Sequence, residues 1–177
     1  MKIGKSTIPE SAICGADDET IVVRGADLCK DLIGKLSFSD YFWLLVTGQR
    51  PSAIASRVLD ATLVAIAEHG LVPSVQASRM TLAAAPDAIQ GAVAAGILGC
   101  GSVILGASET AGPMFLRVDA IAKEKVTSLE AAATEVVREL RTSKQAIPGY
   151  GHPVHKARDP RVARLFEVAA EAGAAGA

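Results

Sequence analysis

The side chains most able to do chemistry gather in one stretch, "IPGYGHPVHKARDPR" at residues 147–161. It sets His152, His155, Lys156, Arg158 and Arg161 among Pro148, Pro153 and Pro160, with Gly149 and Gly151 either side of Tyr150. Prolines remove backbone donors and glycines offer nothing to pack, so this stretch reads as a loop. A Gly-Tyr-Gly backbone leaves N–H and C=O groups open to a flat or anionic ligand. His152 follows at once, where the backbone can hold it rigidly, and Lys156 and Arg158 add positive charge. Asp159 and Pro160 fit the N-cap and first position of a following helix, which places Arg161 in its first turn. Helix N-termini favour anions, so the set suits a carboxylate or phosphate ligand. Structural readings stand beside this one. His155 reads as a hydrogen-bonding brace, Arg158 and Arg164 as solvated charges, and Asp159 as a helix cap rather than an acid. His69, at the end of an upstream helical pattern, is open between a dipole partner and a ligand-binding group. No Walker or dinucleotide fingerprint is present, since "GILGCGSVILG" matches neither pattern.

The elements that must position these residues are nearly all helical. A short β-hairpin is expected at about 11–24, with "SAIC" and "TIVVRG" flanking the turn "GADDE". Ser39 is the expected cap of "DYFWLLVT", which Gly48 and Pro51 end, and Ser52 caps "AIASRVLDATLVAIAEHG". Val58, Leu59, Thr62, Leu63 and Ile66 recur there at helical spacing, with Gly70 as the residue past the end and His69 in the last turn. "SVQASRMTLAAA" is a further helix, stopped by Pro86. The next starts at Asp87 and carries Gly91, Ala92, Ala95 and Gly96, a small-residue face suited to a deep core or a helical subunit interface. "GASETAGPMFLRVDAIAKEK" is expected to break or restart at Pro113. "TSLEAAATEVVRELRTSK" opens with Thr127 and Glu130 at capping-box spacing, with Val136, Val137 and Leu140 facing inward.

Composition narrows the function classes. Half of the 177 residues are hydrophobic and the formal net charge is −1, so a core is available and no overall basic footprint for nucleic acid exists. Aromatics at 4% also argue against a stacking platform for single strands. Cys14, Cys29 and Cys100 have no metal-ligand spacing, and Cys100 reads as a small buried apolar residue. No metal site is expected. Residues 88–107 form an uncharged run long enough to span a bilayer, but five glycines and a Gln interrupt it. It reads as a buried helix leading into a glycine-rich loop. With no signal-peptide pattern at the N-terminus, a cytoplasmic location without membrane contact is the expectation.

The loop "GYGHPVHKARDPR" resembles the citrate synthase superfamily signature: Gly-aromatic-Gly-His, a basic residue, then Asp-Pro-Arg. "VRGADLCKDLIGKLSFSDYFWLLVTGQRPS" is similar to an upstream segment of that family, and "AEHGLVPSVQASR" to its first histidine segment, so the likeness spans about residues 20–165. The resemblance implies an all-α fold, a large helical domain and a smaller one closing over a cleft, working as a homodimer. On this chain that gives a large domain at 1–103, with the hairpin, and the start of a small domain at 104–177. It also implies the roles of individual residues. His152 would contact the substrate oxygen that alternates between carbonyl and hydroxyl, and Arg161 would bind a substrate carboxylate. His69, the second expected catalytic residue, would orient carboxylates. The backbone of Pro148, Gly149, Tyr150 and Gly151 would hold the adenine of coenzyme A, with Lys156 near its phosphates.

Two departures from the family pattern refine this. Citrate synthases carry a further histidine in a "GPLHGGANE"-like loop, whereas this chain reads "GSVILGASE", with Ile104 at that place. Losing such a donor costs on the order of 10²–10³ in rate or more. Citryl-CoA lyases, including the lyase module of ATP-citrate lyase, also lack it. The family's catalytic Asp lies dozens of residues beyond the Asp-Pro-Arg motif, outside the present sequence, together with further arginines and the C-terminal part of the fold. The expected function is therefore cleavage of citryl-CoA to acetyl-CoA and oxaloacetate, with the citryl hydroxyl giving its proton to His152. The alternatives are a citrate synthase and a non-catalytic CoA-binding homologue. Coenzyme A enters as part of the substrate, no other cofactor is expected, and a citryl-CoA synthetase is a candidate partner.

Overall fold

The computed structural model describes residues 11–101, 105–152 and 154–174. Seven α-helices and one π-helical turn dominate the described residues, with a three-stranded antiparallel sheet near the N-terminus, which bears out the mainly helical expectation. The described residues form two units, 11–68 with 160–174, and 69–159.

In the first unit, β1 (Cys14–Ala16) pairs with β2 (Ile21–Val23) in the register Cys14↔Val23, and β3 (Ala26–Asp27) continues the meander through Val23↔Ala26. The Asp17 carboxylate accepts from the N–H groups of Glu19 and Thr20, which closes the β1–β2 turn. Asp27 then starts the π-helical turn Leu28–Leu32 by accepting from the N–H groups of Cys29 and Lys30. α1 (Phe38–Thr47) follows and ends at Gly48, whose φ of 77° is a left-handed conformation that glycine adopts without strain. Val23, Leu32 and Leu44 form a buried cluster, packed by Cys14, Ala26, Leu28, Leu36, Tyr41 and Leu45. Burying each of the three contributes about 1.5–3 kcal/mol. Arg24 fastens sheet to helix by donating from Nε to the Leu45 carbonyl at 3.0 Å. α2 (Ala53–Ile66) and α7 (Pro160–Glu171) pack together in the same unit, and Arg57 reaches Glu171 at 2.8 Å.

In the second unit, α3 (Pro73–Ala84) and α4 (Ile89–Leu98) form the closest helix pair, and α5 (Ala107–Glu124) packs on α6 (Leu129–Thr142). The small residues of α4 explain the first pairing. A Cβ at Gly96 would stand 3.3 Å from the Ser78 Cβ, and one at Gly99 would stand 3.0 Å from the Ser74 Cα. The end of the small-residue face at Gly96 and Gly99 is thus occupied by a helix of the same chain, while a Cβ at Gly91 would meet nothing within 4 Å. Ala132 and Val136 bury the inner face of α6, while Val137 and Leu140, also expected to face inward, are half-buried.

Several expectations need correction. The cap of α1 is Ser37, which accepts from the Asp40 N–H, while Ser39 is buried with its hydroxyl against that of Ser37. Ser37 is the residue with extended backbone, and only that geometry lets a side chain turn back onto the helix. Ser128 likewise caps α6, one residue after Thr127, by accepting from the Ala131 N–H. α4 begins at Ile89 rather than Asp87. α5 runs through Pro113 unbroken, because a proline removes one ladder bond while Ala111 and Ala122 keep the helix seated on both sides of it. α4 is not a buried helix: Ile89 and Ile97 are 67% exposed, and its close contact comes from Ala92 and the glycines. Cys100 is exposed and donates to the Gly96 carbonyl. Among the described residues no helix is long and apolar enough to cross a membrane.

Candidate functional site

Residues 145–159 form no regular element where they are described, so the Gly/Pro reading of this loop holds. A turn closed by the Tyr150 N–H on the Ile147 carbonyl begins it, and Gly149 and Gly151 take φ values of 78° and 108°. Gly149 also sits against the buried Ala111 of α5: a Cβ there would meet the Ala111 Cβ at 3.2 Å. Glycine is therefore required twice over, for the backbone angle and for the approach to the helix. The Tyr150 side chain is 69% exposed beside this turn.

His152 is half-buried and held by its own loop. Its Nδ1 accepts from the backbone N–H of Val154 at 3.1 Å and of His155 at 3.0 Å. A backbone N–H can only donate, so Nδ1 carries no proton and the neutral ring holds its proton on Nε2. Such a ring donates from Nε2 and has no lone pair there to take a proton. The His155 ring stacks on it, with centroids 4.7 Å apart and planes 28° from parallel. His155 is indeed a brace, through its backbone N–H and its ring face. That pairing is a feature the sequence reading did not resolve, because only the fold of the loop brings rings three residues apart face to face.

His69 does not end a helix. α2 stops at Ile66 with Ala67 as its cap, and His69 lies in the connection to α3 just before Gly70, whose φ is 67°. The dipole explanation for His69 therefore falls away. Its side chain is half-buried, and its Nδ1 is shielded from solvent without a hydrogen-bond partner among the described residues. Buried polar atoms are nearly always satisfied, so an unmet one inside a loop is a position where a ligand group or an ordered water belongs.

His69, His152 and Lys156 belong to the second unit, and Lys156 and Arg158 are exposed on the loop. Arg161 stands in the first turn of α7, in the first unit, and is half-buried. Arg164, expected as a solvated charge, is ion-paired at 3.0 Å to Glu167 and 2.9 Å to Glu171. Those hydrogen bonds, Glu167 first, raise its already high pKa. Ile104 falls outside the described residues.

The family model "Citrate synthase, C-terminal domain" matches residues 29–177. A citrate synthase of Synechocystis sp. is 31% identical over 137 residues, covering 76% of this chain and 32% of that protein. A 2-methylcitrate synthase of Shewanella oneidensis is 29% identical over 132 residues, covering 72% of this chain and 32% of its own length. Among solved structures, citryl-CoA lyase from Hydrogenobacter thermophilus has a TM-score of 0.78 and 33% identity, over 94% of this chain and 62% of that one. A Methanosaeta concilii ATP citrate lyase variant in complex with (3S)-citryl-CoA has a TM-score of 0.75 and 25% identity, over 96% of this chain and 26% of that one. The chain thus spans about a third of the length of the curated relatives it matches and under two thirds of the lyase. With a family model covering nearly all of the helical sequence and a shared fold at this identity, the chain belongs to the citrate synthase family.

Proposed function

We propose that the protein is a citryl-CoA lyase, splitting citryl-CoA into acetyl-CoA and oxaloacetate. The observation that carries this reading is the likeness to citryl-CoA lyase across almost the whole chain, joined to Ile104 at the place where synthases keep a histidine. Related structures hold (3S)-citryl-CoA, and citrate with coenzyme A, which supports an acyl-CoA and carboxylate ligand here.

In this reading His152 faces the citryl hydroxyl oxygen. Because its Nδ1 is occupied by two backbone donors, it works by donating from Nε2, in place of the proton acceptance expected from sequence. As the carbon–carbon bond breaks, the hydroxyl proton passes to a water molecule and that oxygen becomes the oxaloacetate carbonyl. The bonding pair moves into the thioester to give the acetyl-CoA enolate, which takes up one proton at carbon. A fixed N–H aimed at the oxygen stabilises the charge that builds there, and one such donor is worth on the order of 10²–10³ in rate. Arg161 and His69 hold the carboxylates that stay with oxaloacetate. The backbone of Pro148, Gly149, Tyr150 and Gly151 carries the adenine of coenzyme A, with Lys156 by its phosphates. The assignments of 1–103 to a large and 104–177 to a small helical domain, of a homodimer, of a cytoplasmic location and of a synthetase partner belong to the same proposal. The exposed ridge of Ile89, Val93 and Ile97 on α4 supports the dimer.

The second reading is a citrate synthase or 2-methylcitrate synthase, favoured by the names of the sequence relatives at about the same identity. Supplying the full-length protein with each substrate set separates them. The lyase reading expects oxaloacetate from citryl-CoA without hydrolysis of the thioester. Release of free coenzyme A from acetyl-CoA and oxaloacetate, or from acyl-CoA and another 2-oxo acid, decides for the synthase.

A further inference from the structure

The turn that opens the loop is delivered by one helix and stopped by another. α5 and α6 run antiparallel, since Arg117 pairs with Glu139 and, further along α5, Lys125 pairs with Glu135 at 2.6 Å. The end of α6 therefore lies beside the start of α5. There Lys144 takes a left-handed φ of 55°, and the Gln145 N–H donates to the Leu140 carbonyl, which turns the chain out of α6. Gly149 then meets α5 at Ala111. Ala111 is 6% exposed, and a Cβ on Gly149 would stand 3.2 Å from its methyl. Gly149 and Tyr150 are themselves exposed, so the turn is backed by α5 on one side and open on the other. Because Ala111 is buried against the turn, a larger side chain there must push the two apart. At the neighbouring Gly112 a Cβ would meet nothing within 4 Å.

We propose that Ala111 is a positioning residue for the acyl-CoA ligand: its single methyl sets how far the turn at 147–150 stands from α5, and so where the backbone of residues 148–151 meets the adenine. The inference rests on the reading that this backbone carries the adenine of coenzyme A. It adds that the cradle takes its place from a residue of α5 that itself touches no ligand. Good hydrogen bonds end at about 3.2 Å, so a turn displaced by about 1 Å gives them up. Each one lost costs about two- to tenfold in affinity.

The test is titration calorimetry of coenzyme A on the full-length protein as wild type, Ala111→Val, Ala111→Ser and Gly112→Ala. Calorimetry reads affinity and stoichiometry separately, and a fold that is merely weakened lowers the stoichiometry. Changing Gly149 instead would confound the two, because its φ of 78° strains any other residue. Ala111→Val should raise Kd about tenfold with the stoichiometry unchanged, and Ala111→Ser, which adds a single heavy atom, about two- to threefold. Gly112→Ala should bind as wild type does, since its methyl enters open space. Wild-type Kd in Ala111→Val overturns the proposal, and so does a fall in stoichiometry at unchanged Kd. Where Ala111→Val does not fold, Ala111→Ser decides, and a wild-type Kd there overturns the proposal. A wild type that binds no coenzyme A brings down the cradle reading and this proposal with it. A wild type that binds, beside Ala111 variants that bind equally well, leaves the cradle standing and removes only its backing by α5.

Discussion

Replacing Gly99, which caps the end of α4, by alanine should destabilise the protein, whereas the same change at Gly91 inside that helix should stabilise it. Both glycines have ordinary backbone angles, and each gains about 0.4–1 kcal/mol from alanine because the unfolded chain loses freedom. Around Gly91 a Cβ meets nothing within 4 Å, so this gain stands alone. At Gly99 the new Cβ would lie 3.0 Å from the Ser74 Cα and 3.4 Å from its Cβ. Ser74 is buried in the first turn of α3, so the relief must come from moving backbone rather than turning a side chain. Overpacking of this kind costs about 1–3 kcal/mol, which leaves Gly99→Ala less stable by about 1–2 kcal/mol. The two variants should differ by about 2 kcal/mol in opposite directions around wild type. Urea unfolding followed by circular dichroism reads this as a midpoint shift at unchanged slope. If Gly99→Ala equals or exceeds wild type, glycine is not what lets α3 and α4 approach, and the packing argument is wrong.

Other consequences are open to direct measurement. Ser128→Ala should cost about 1 kcal/mol and Thr127→Ala almost nothing, since only Ser128 caps α6; equal losses would mean the cap is shared. Asp17 and Asp27 are held below the usual carboxylate range, chiefly by the backbone N–H groups of Glu19 and Lys30 respectively. A depressed carboxylate adds stability above its unfolded pKa, and that stability is lost as pH falls through the folded one. The urea midpoint should therefore drop as pH falls through and below the ordinary aspartate range at about 4, less steeply in Asp27→Asn; an identical profile in the variant contradicts this. His152→Gln keeps an N–H donor and should retain measurable turnover, while His152→Ala should lose about 10²–10³. Equal loss in both would return His152 to the role of proton acceptor.

Much of the chain was legible because its signals are local. The loop at 147–159 needs only its glycines and prolines to be recognised, and Ser52 and Gly48 follow from cap chemistry. What escaped depends on more than spacing. Ser37 and Ser39 are chemically identical candidates two residues apart, and the backbone angle of one decides between them. β3 has two residues, too few to show a period, and the π-helical turn after Asp27 has five. His69 reads as helical because Gly70 suits the position just past a helix end, yet α2 ends at Ile66. The candidate residues of the loop, His152 to Arg161, come from one motif, and His69 from a separate segment. The tautomer of His152 could not, since it depends on where two backbone N–H groups point.

The most direct test of the account is the oxaloacetate formed from (3S)-citryl-CoA by the full-length protein, coupled to malate dehydrogenase and NADH, beside its His152→Ala variant. The account predicts steady oxaloacetate production that falls by about 10²–10³ in the variant. Citryl-CoA left uncleaved, while acetyl-CoA and oxaloacetate are condensed with release of free coenzyme A, would contradict it.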